Sequence, residues 1–155
     1  MQLTSQHDCD AANKRFNAFH DGFLRELRWQ SSMRFATSMP WEKEKSFTTD
    51  EERLLATGMM SIGEECLSLF IAHYNYDWPN QPNSRLIEIK LSGGIRVNHQ
   101  ISSDLVILEL VFAKSSEMIS CTVQWEPFGP ANVKSIPKSE FYAEHVTIEE
   151  IESAN

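Results

Sequence analysis

Two neighbouring residues with acid–base character, His20 and Asp21, lie near the N-terminus in the stretch FHDGFLREL. An imidazole beside a carboxylate can share a proton, orient a nucleophile or help to hold a metal ion. A metal-binding His–Asp pair needs further ligands, and no ligand spacing elsewhere in the chain supplies them. A turn explains the same residues, because Asp and Gly favour turns and His can bond to the backbone. The sequence leaves both interpretations open.

A second group of polar and aromatic residues follows in AHYNYDWPNQP, residues 72–82. Aromatic rings next to amides are typical of sugar or peptide sites, where rings stack and amides hydrogen-bond. Aromatic residues at the end of a strand also occur without a ligand, and Tyr and Trp are common at protein contacts. The candidate ligand or partner site therefore consists of His20, Asp21, His73, Tyr74, Tyr76, Asp77 and Trp78.

Catalysis has less support in the sequence. A metal would require His20, Asp21 and His73 to converge with His99 or His145, and their spacing does not predict this. The serines and cysteines stand in no nucleophile motif, and the Gly-Gly of LSGGIR lacks the lysine of a phosphate loop. We therefore assign no catalytic residue, no metal and no cofactor from the sequence.

Composition and charge restrict the class of partner. The 155 residues fit one domain over 1–155, and 41% hydrophobic residues suffice for one core. A net charge of −8 disfavours nucleic acids and anionic membranes, which need clustered Lys and Arg. The same charge suits a basic protein partner, although acidity also serves solubility.

The three cysteines, Cys9, Cys66 and Cys121, are odd in number and far apart, which favours reduced thiols over disulfides or a zinc site. The first ten residues resemble no signal peptide, and the longest apolar run is too short to span a bilayer. These features predict a cytoplasmic, soluble protein.

The N-terminal half predicts one or two short helices. Asp8 or Asp10 can cap a helix over residues 11–19, and Gly22 ends it. The segment after Gly22 favours a strand on which Phe23, Arg25, Leu27 and Trp29 share one face, and the alternative is a continued helix that groups Leu24, Leu27 and Arg28. Residues 31–48 predict a mobile loop, and residues 48–58 a second helix.

From Cys66 onward the pattern is that of strands. Alternating runs on both sides of Gly93-Gly94 predict a hairpin, residues 104–113 a central strand, and Ile119 to Trp125 a strand with Cys121 facing inward. The last segment, from Ser139, predicts a strand that runs into a helical tip. The fold class is therefore α+β, mostly β: a twisted antiparallel sheet or sandwich of six to seven strands, with a helix near the N-terminus.

Residues 19–27 resemble a segment of small uncharacterised bacterial domains, in which a Phe-His-Asp triplet opens the first strand of a β-rich fold. Some of these domains are similar to immunity proteins of toxin systems, and the resemblance implies binding without catalysis. Residues 33–65 are additional to that pattern.

The leading hypothesis is a non-catalytic, cytoplasmic bacterial protein that binds a protein partner, with Trp41, Tyr76 and Trp78 as anchors. The alternative is a small-ligand-binding or metal-dependent hydrolytic domain using His20, Asp21 and His73. Pairing of edge strands would also allow a homodimer.

Overall fold

The computed structural model describes residues 1–30, 65–73, 85–98, 106–126 and 136–151. The chain divides into two units, one formed by Met1–Trp29 with Cys66–Asn155 and the other by Gln30–Glu65. The elements below belong to the first unit, apart from Gln30, which is the last residue of its strand. The expected single domain over 1–155 stays a prediction, and the expected loop at 31–48 and helix at 48–58 lie outside the described residues.

The described residues form one α-helix, a 3₁₀ turn at Asn17–Phe19 and nine strands. In chain order they are β1 Gln2–Leu3, α1 Gln6–Arg15, β2 Gly22–Gln30, β3 Cys66–His73, β4 Arg85–Ser92, β5 Arg96–Asn98, β6 Val106–Ser115, β7 Met118–Trp125, β8 Lys138–Ala143 and β9 His145–Ile151. The α+β class, the antiparallel sheet and the N-terminal helix are confirmed.

Helix α1 begins earlier than the sequence predicted. Ser5 is the N-cap: its hydroxyl accepts from the backbone N–H of Asp8, and the Asp8 carboxylate accepts from the Ser5 N–H at 2.9 Å. This reciprocal pair satisfies two donors that a helix start otherwise leaves open. Asp8 therefore lies inside the helix, and the prediction of Asp8 or Asp10 as the cap was wrong.

Two amide side chains of α1 bind the backbone of β6. Asn13 both donates to the carbonyl of Phe112 at 2.9 Å and accepts from its N–H at 2.8 Å, and Gln6 accepts from the N–H of Lys114 at 2.8 Å. Phe112 and Lys114 are two residues apart, so these groups lie on the same side of the strand. The helix thus supplies hydrogen bonds that a neighbouring strand would otherwise provide.

The strands are arranged in the order β1-β9-β4-β3-β2-β6-β7-β8-β5. Neighbouring strands are antiparallel on both sides of the β2–β3 pair. Strand β4 also contacts β8, and β7 contacts β9, although these pairs are far apart in that order. The sheet therefore folds over, and its two halves enclose one core.

The connection between β4 and β5 and the connection between β8 and β9 lie side by side where the sheet folds over. Ser92 of β4 lies opposite His145 of β9, and Arg96 of β5 lies opposite Tyr142 of β8. The Glu144 N–H donates to the Gly93 carbonyl at 2.9 Å, which joins the two ladders. Gly93 and its neighbour adopt φ of +77° and +56°, a region that favours glycine.

The structure corrects two predictions about the strands. The Gly-Gly turn does not close a hairpin, because β4 pairs with β3 and β9 whereas β5 pairs with β8. The described residues contain nine strands instead of six or seven. Regular strand structure is interrupted at Gly93 and at Glu144, which separates β4 from β5 and β8 from β9. The two-residue β1 is too short to show an alternating pattern in the sequence. The predicted strand with a helical tip is in fact β8 followed by β9.

The core takes its side chains from alternate positions of the strands. Along β7, Ile119, Cys121, Val123 and Trp125 are fully buried and the residues between them are half-buried, as predicted. The Trp125 indole N–H donates to the hydroxyl of Ser139 at 2.9 Å, so this large ring is buried with its polar group satisfied. Helix α1 adds Cys9 and Ala12 to the same core.

Candidate functional site

The predicted His–Asp pair lies at the surface. The Nδ1 of His20 is 3.1 Å from a carboxylate oxygen of Asp21, and more than half of each side chain is exposed. The Asp21 N–H donates to the Ile107 carbonyl at 3.0 Å, which fixes the backbone but leaves the side chain outside. An exposed pair of this kind contributes little to stability.

The turn before this pair has an unusual backbone. Asn17, Ala18 and Phe19 have φ of 47°, 47° and 54°, and Asp21 has φ of 64°. Such left-handed residues cost about 1–2 kcal/mol each when they carry a Cβ. The turn packs the rings of Phe16 and Phe19 together at 4.9 Å and buries both. Buried aromatic area therefore offsets the backbone strain.

Gly22, which follows Asp21, has a different role from the one predicted. A Cβ at this position would lie 2.9 Å from the Phe19 carbonyl and 3.1 Å from Cγ2 of Ile71. Glycine is required here for close packing, whereas the change of direction is made by residues with side chains before it. Strand β2 starts at Gly22, which confirms the expected strand.

His73 lies in the core, at the end of β3, with 1% of its surface exposed. Its Nε2 donates to the carbonyl oxygen of Phe16 at 2.8 Å, and the Phe19 ring lies 5.4 Å from its ring. Burial lowers the pKa of His73, while the hydrogen bond to Phe16 and the nearby Asp21 charge oppose that shift. The imidazole therefore acts as a buried, uncharged clamp between β3 and the end of α1.

The structure thus separates the predicted site residues by exposure. Asp21 and His20 are close enough to influence the pKa of His73, but they are exposed and His73 is buried. Within the described ranges, no three His, Cys, Asp or Glu side chains are grouped closely enough to hold a metal ion. Four of the predicted residues lie outside the described residues: Tyr74, Tyr76, Asp77 and Trp78.

The three cysteines are free and buried. Burial strongly raises the pKa of the Cys121 thiol, and burial together with the Asp10 and Asp8 charges raises that of Cys9. A nucleophilic cysteine needs the opposite shift, because the thiolate is the reactive form. Cys121 faces inward, as the sequence predicted.

A surface that the sequence analysis did not assign lies on β2. Phe23, Leu27 and Trp29, called here the β2 row, are 41%, 39% and 47% exposed. They occupy odd positions of one strand and so share a face with Arg25, which is also exposed. In the sequence, the alternation Phe-x-Arg-x-Leu-x-Trp was the pattern from which this row could have been identified. The predicted anchors Trp41, Tyr76 and Trp78 all lie outside the described residues.

No protein family, curated protein or solved structure matches this chain. The resemblance of residues 19–27 to immunity-like domains therefore stays a prediction. None of the helices within the described ranges is long and apolar enough to cross a membrane.

Proposed function

We propose that this protein is a non-catalytic binding module that acts through contact with a protein partner in the bacterial cytoplasm. The observation that carries the proposal is the β2 row, three large apolar side chains exposed along one face of a single strand. Aromatic residues, above all Trp and Tyr, dominate the binding energy of protein interfaces. Trp29 and Phe23 are the anchors that we assign to this interface.

The first residues of the strand that carries the row are held in place before any partner binds. Gly22 and Leu24 are buried in the core, and Gly22 and Phe23 pair with Ile107 and Val106 of β6. An interface on a fixed strand loses little conformational entropy on association, which favours affinity. This rigidity supports a recognition role for β2.

The charge of the chain favours a basic partner. The net charge is −8, and opposite charges on two proteins increase their rate of association. Burial of the Cys9 and Cys121 thiols supports binding over catalysis, because the reactive thiolate is disfavoured where they lie, and His73 is buried in the core. Three unpaired cysteines suit a reducing compartment.

The immunity-like part of the proposal rests on the resemblance of residues 19–27. This segment runs from the buried Phe19 through the strained turn into β2, and it includes Phe23 and Leu27 of the row. An immunity protein neutralises a toxin by a tight contact and needs no chemistry of its own. A rigid strand with exposed apolar side chains suits that task.

The test is capture of the partner from the native cells with tagged protein, followed by binding measurements with the purified pair. We expect Trp29→Ala and Phe23→Ser to weaken binding by about thirtyfold or more, since interface anchors contribute at least about 2 kcal/mol. Val97→Ser is the matched control, because Val97 is 41% exposed on β5, outside the row. Unchanged binding by both row variants, or no stoichiometric partner under several growth conditions, would refute the proposal.

A further inference from the structure

An open groove of about 500 Å³ lies beside β2. Arg25 and Arg28 of β2 and Arg85 of β4 line it together with Glu26. Three arginines against Glu26 of the lining and Glu150, which pairs with Arg85, leave a net charge of +1, opposite in sign to the −8 of the chain. The groove is therefore a local positive site on an acidic protein.

Part of the groove lining is apolar. Phe70, Leu86 and Ile151 contribute to its lining, and only 8% of Phe70 is exposed. Apolar groups next to an ion pair lower the local effective dielectric constant and so strengthen a charge-assisted hydrogen bond formed beside them. A ligand with both an anionic and an apolar part fits this lining.

Two of the arginines are held in position by the protein. The Arg28 guanidinium lies 4.8 Å from the centre of the Phe70 ring and makes two hydrogen bonds to Glu26, at 2.8 and 3.1 Å. Arg85 pairs with Glu150, which also binds Arg15. Stacking and ion pairing reduce the entropy that these side chains would lose on binding.

Arg25 differs from the other two. It makes no ion pair with any residue of the described ranges, and it shares its strand face with Phe23 and Leu27 of the β2 row. Arg25 therefore belongs both to the strand face of the row and to the lining of the groove. A partner that covers the row must also meet this charge.

We propose that the groove receives an Asp or Glu side chain of the protein partner, flanked in the partner by an apolar residue that contacts Leu86 and Ile151. A guanidinium binds a carboxylate through two parallel hydrogen bonds, and Arg25 offers this pairing. The inference rests on the proposed function and specifies it: the partner is basic around the contact and has one acidic residue at its centre. An uncompensated arginine under an all-basic partner would repel it.

A random peptide library displayed on phage, selected on the intact protein, tests this inference. We expect the selected peptides to contain Asp or Glu next to an apolar residue. We expect their affinity, measured with synthetic fluorescent peptides, to fall about tenfold or more in Arg25→Glu and less in Arg25→Gln. Arg96→Glu on β5 is the control for overall charge, since Arg96 is exposed and does not line the groove.

Each outcome decides the inference. Selected peptides without acidic residues, failure to select any peptide, or equal loss in Arg25→Glu and Arg96→Glu would overturn it. Displacement of the acidic peptides by inorganic phosphate, but not by chloride at equal ionic strength, would identify a small-anion site and also overturn it. These results leave the proposed function standing, because that proposal fails only through the native partner and the row variants.

Discussion

The Nε2 of His73 donates a hydrogen bond of 2.8 Å to the carbonyl oxygen of Phe16, 57 residues earlier in the chain. Because a carbonyl can only accept, this bond fixes the tautomer in which Nε2 carries the proton. The bond satisfies a carbonyl just past the end of α1 and joins that end to β3. A residue that the sequence suggests for chemistry is thus part of the structural framework.

His73 makes stability depend on pH. Burial lowers its pKa in the folded state, so the unfolded chain binds a proton more readily. The stability is fully present above about pH 6.5, the ordinary histidine pKa, and falls as the pH drops from there to the folded-state pKa. Unfolding by urea should show a loss approaching 1.4 kcal/mol per pH unit in that window.

The variant His73→Gln checks the assignment of this pH dependence. A glutamine amide can still donate to Phe16 but does not titrate, so the slope below about pH 6.5 should decrease markedly. His145→Gln is the control, because His145 is exposed at the start of β9. An unchanged slope in His73→Gln would assign the pH dependence to other groups.

The left-handed turn predicts that an Ala→Gly substitution stabilises the protein at Ala18, whereas the same substitution within α1 destabilises it. Ala18 has φ of 47°, so Ala18→Gly should relieve strain and raise the free energy of unfolding by about 0.5–1 kcal/mol. Ala11 is exposed within α1, where Ala11→Gly should lower it by about 1 kcal/mol. Thermal unfolding followed by circular dichroism measures both, and a lower midpoint for Ala18→Gly would contradict the strained backbone.

The contact between the turn and β2 predicts that Gly22 tolerates no side chain. In Gly22→Ala the new methyl group would meet the Phe19 carbonyl at 2.9 Å, and a backbone atom cannot move aside as a flexible side chain does. We expect a loss of about 1–3 kcal/mol in urea unfolding. Ser115→Ala, at the exposed end of β6, should change stability by less than about 0.5 kcal/mol. Equal stability of the two variants would show that the turn adapts.

The cap of α1 gives a further prediction. Ser5→Ala removes the acceptor for the Asp8 N–H and should cost about 1 kcal/mol, whereas Ser5→Asn, which keeps an acceptor, should cost less. Hydrogen bonds from Thr4 and Ser5 lower the pKa of Asp8, so its contribution is present above about pH 3.8 and is lost as the pH falls further. Urea titrations at neutral and acid pH measure both effects, and equal values for Ser5→Ala and wild type would refute the cap.

Regular patterns made much of the fold predictable. The alternation around Cys121 and the apolar run from Val106 placed β7 and β6, because strand faces repeat every two residues. The pairing partners of β4 and β5 were not predictable, since the same Gly-Gly signal serves a hairpin or a corner, and long-range packing selects between them. The bonds of Asn13 and Gln6 to β6 span about a hundred residues and have no local signal.

The candidate site was less predictable than the fold. Residue type marked His20, Asp21 and His73 as reactive, but exposure separates them, and burial depends on contacts that a sequence does not contain. The strand face of Phe23, Leu27 and Trp29 was predictable from periodicity. Its exposure was not, because the same alternation fits a face packed against a core.

The short strands at the two ends of the sheet affect how copies of this protein can associate. Among the described strands, β1 and β5 end the strand order and contain two and three residues. Amyloid-like stacking proceeds by backbone pairing along an open edge, and so short an edge offers few groups for it. Edges this short favour association of copies through side chains of an exposed face over backbone pairing between described edge strands.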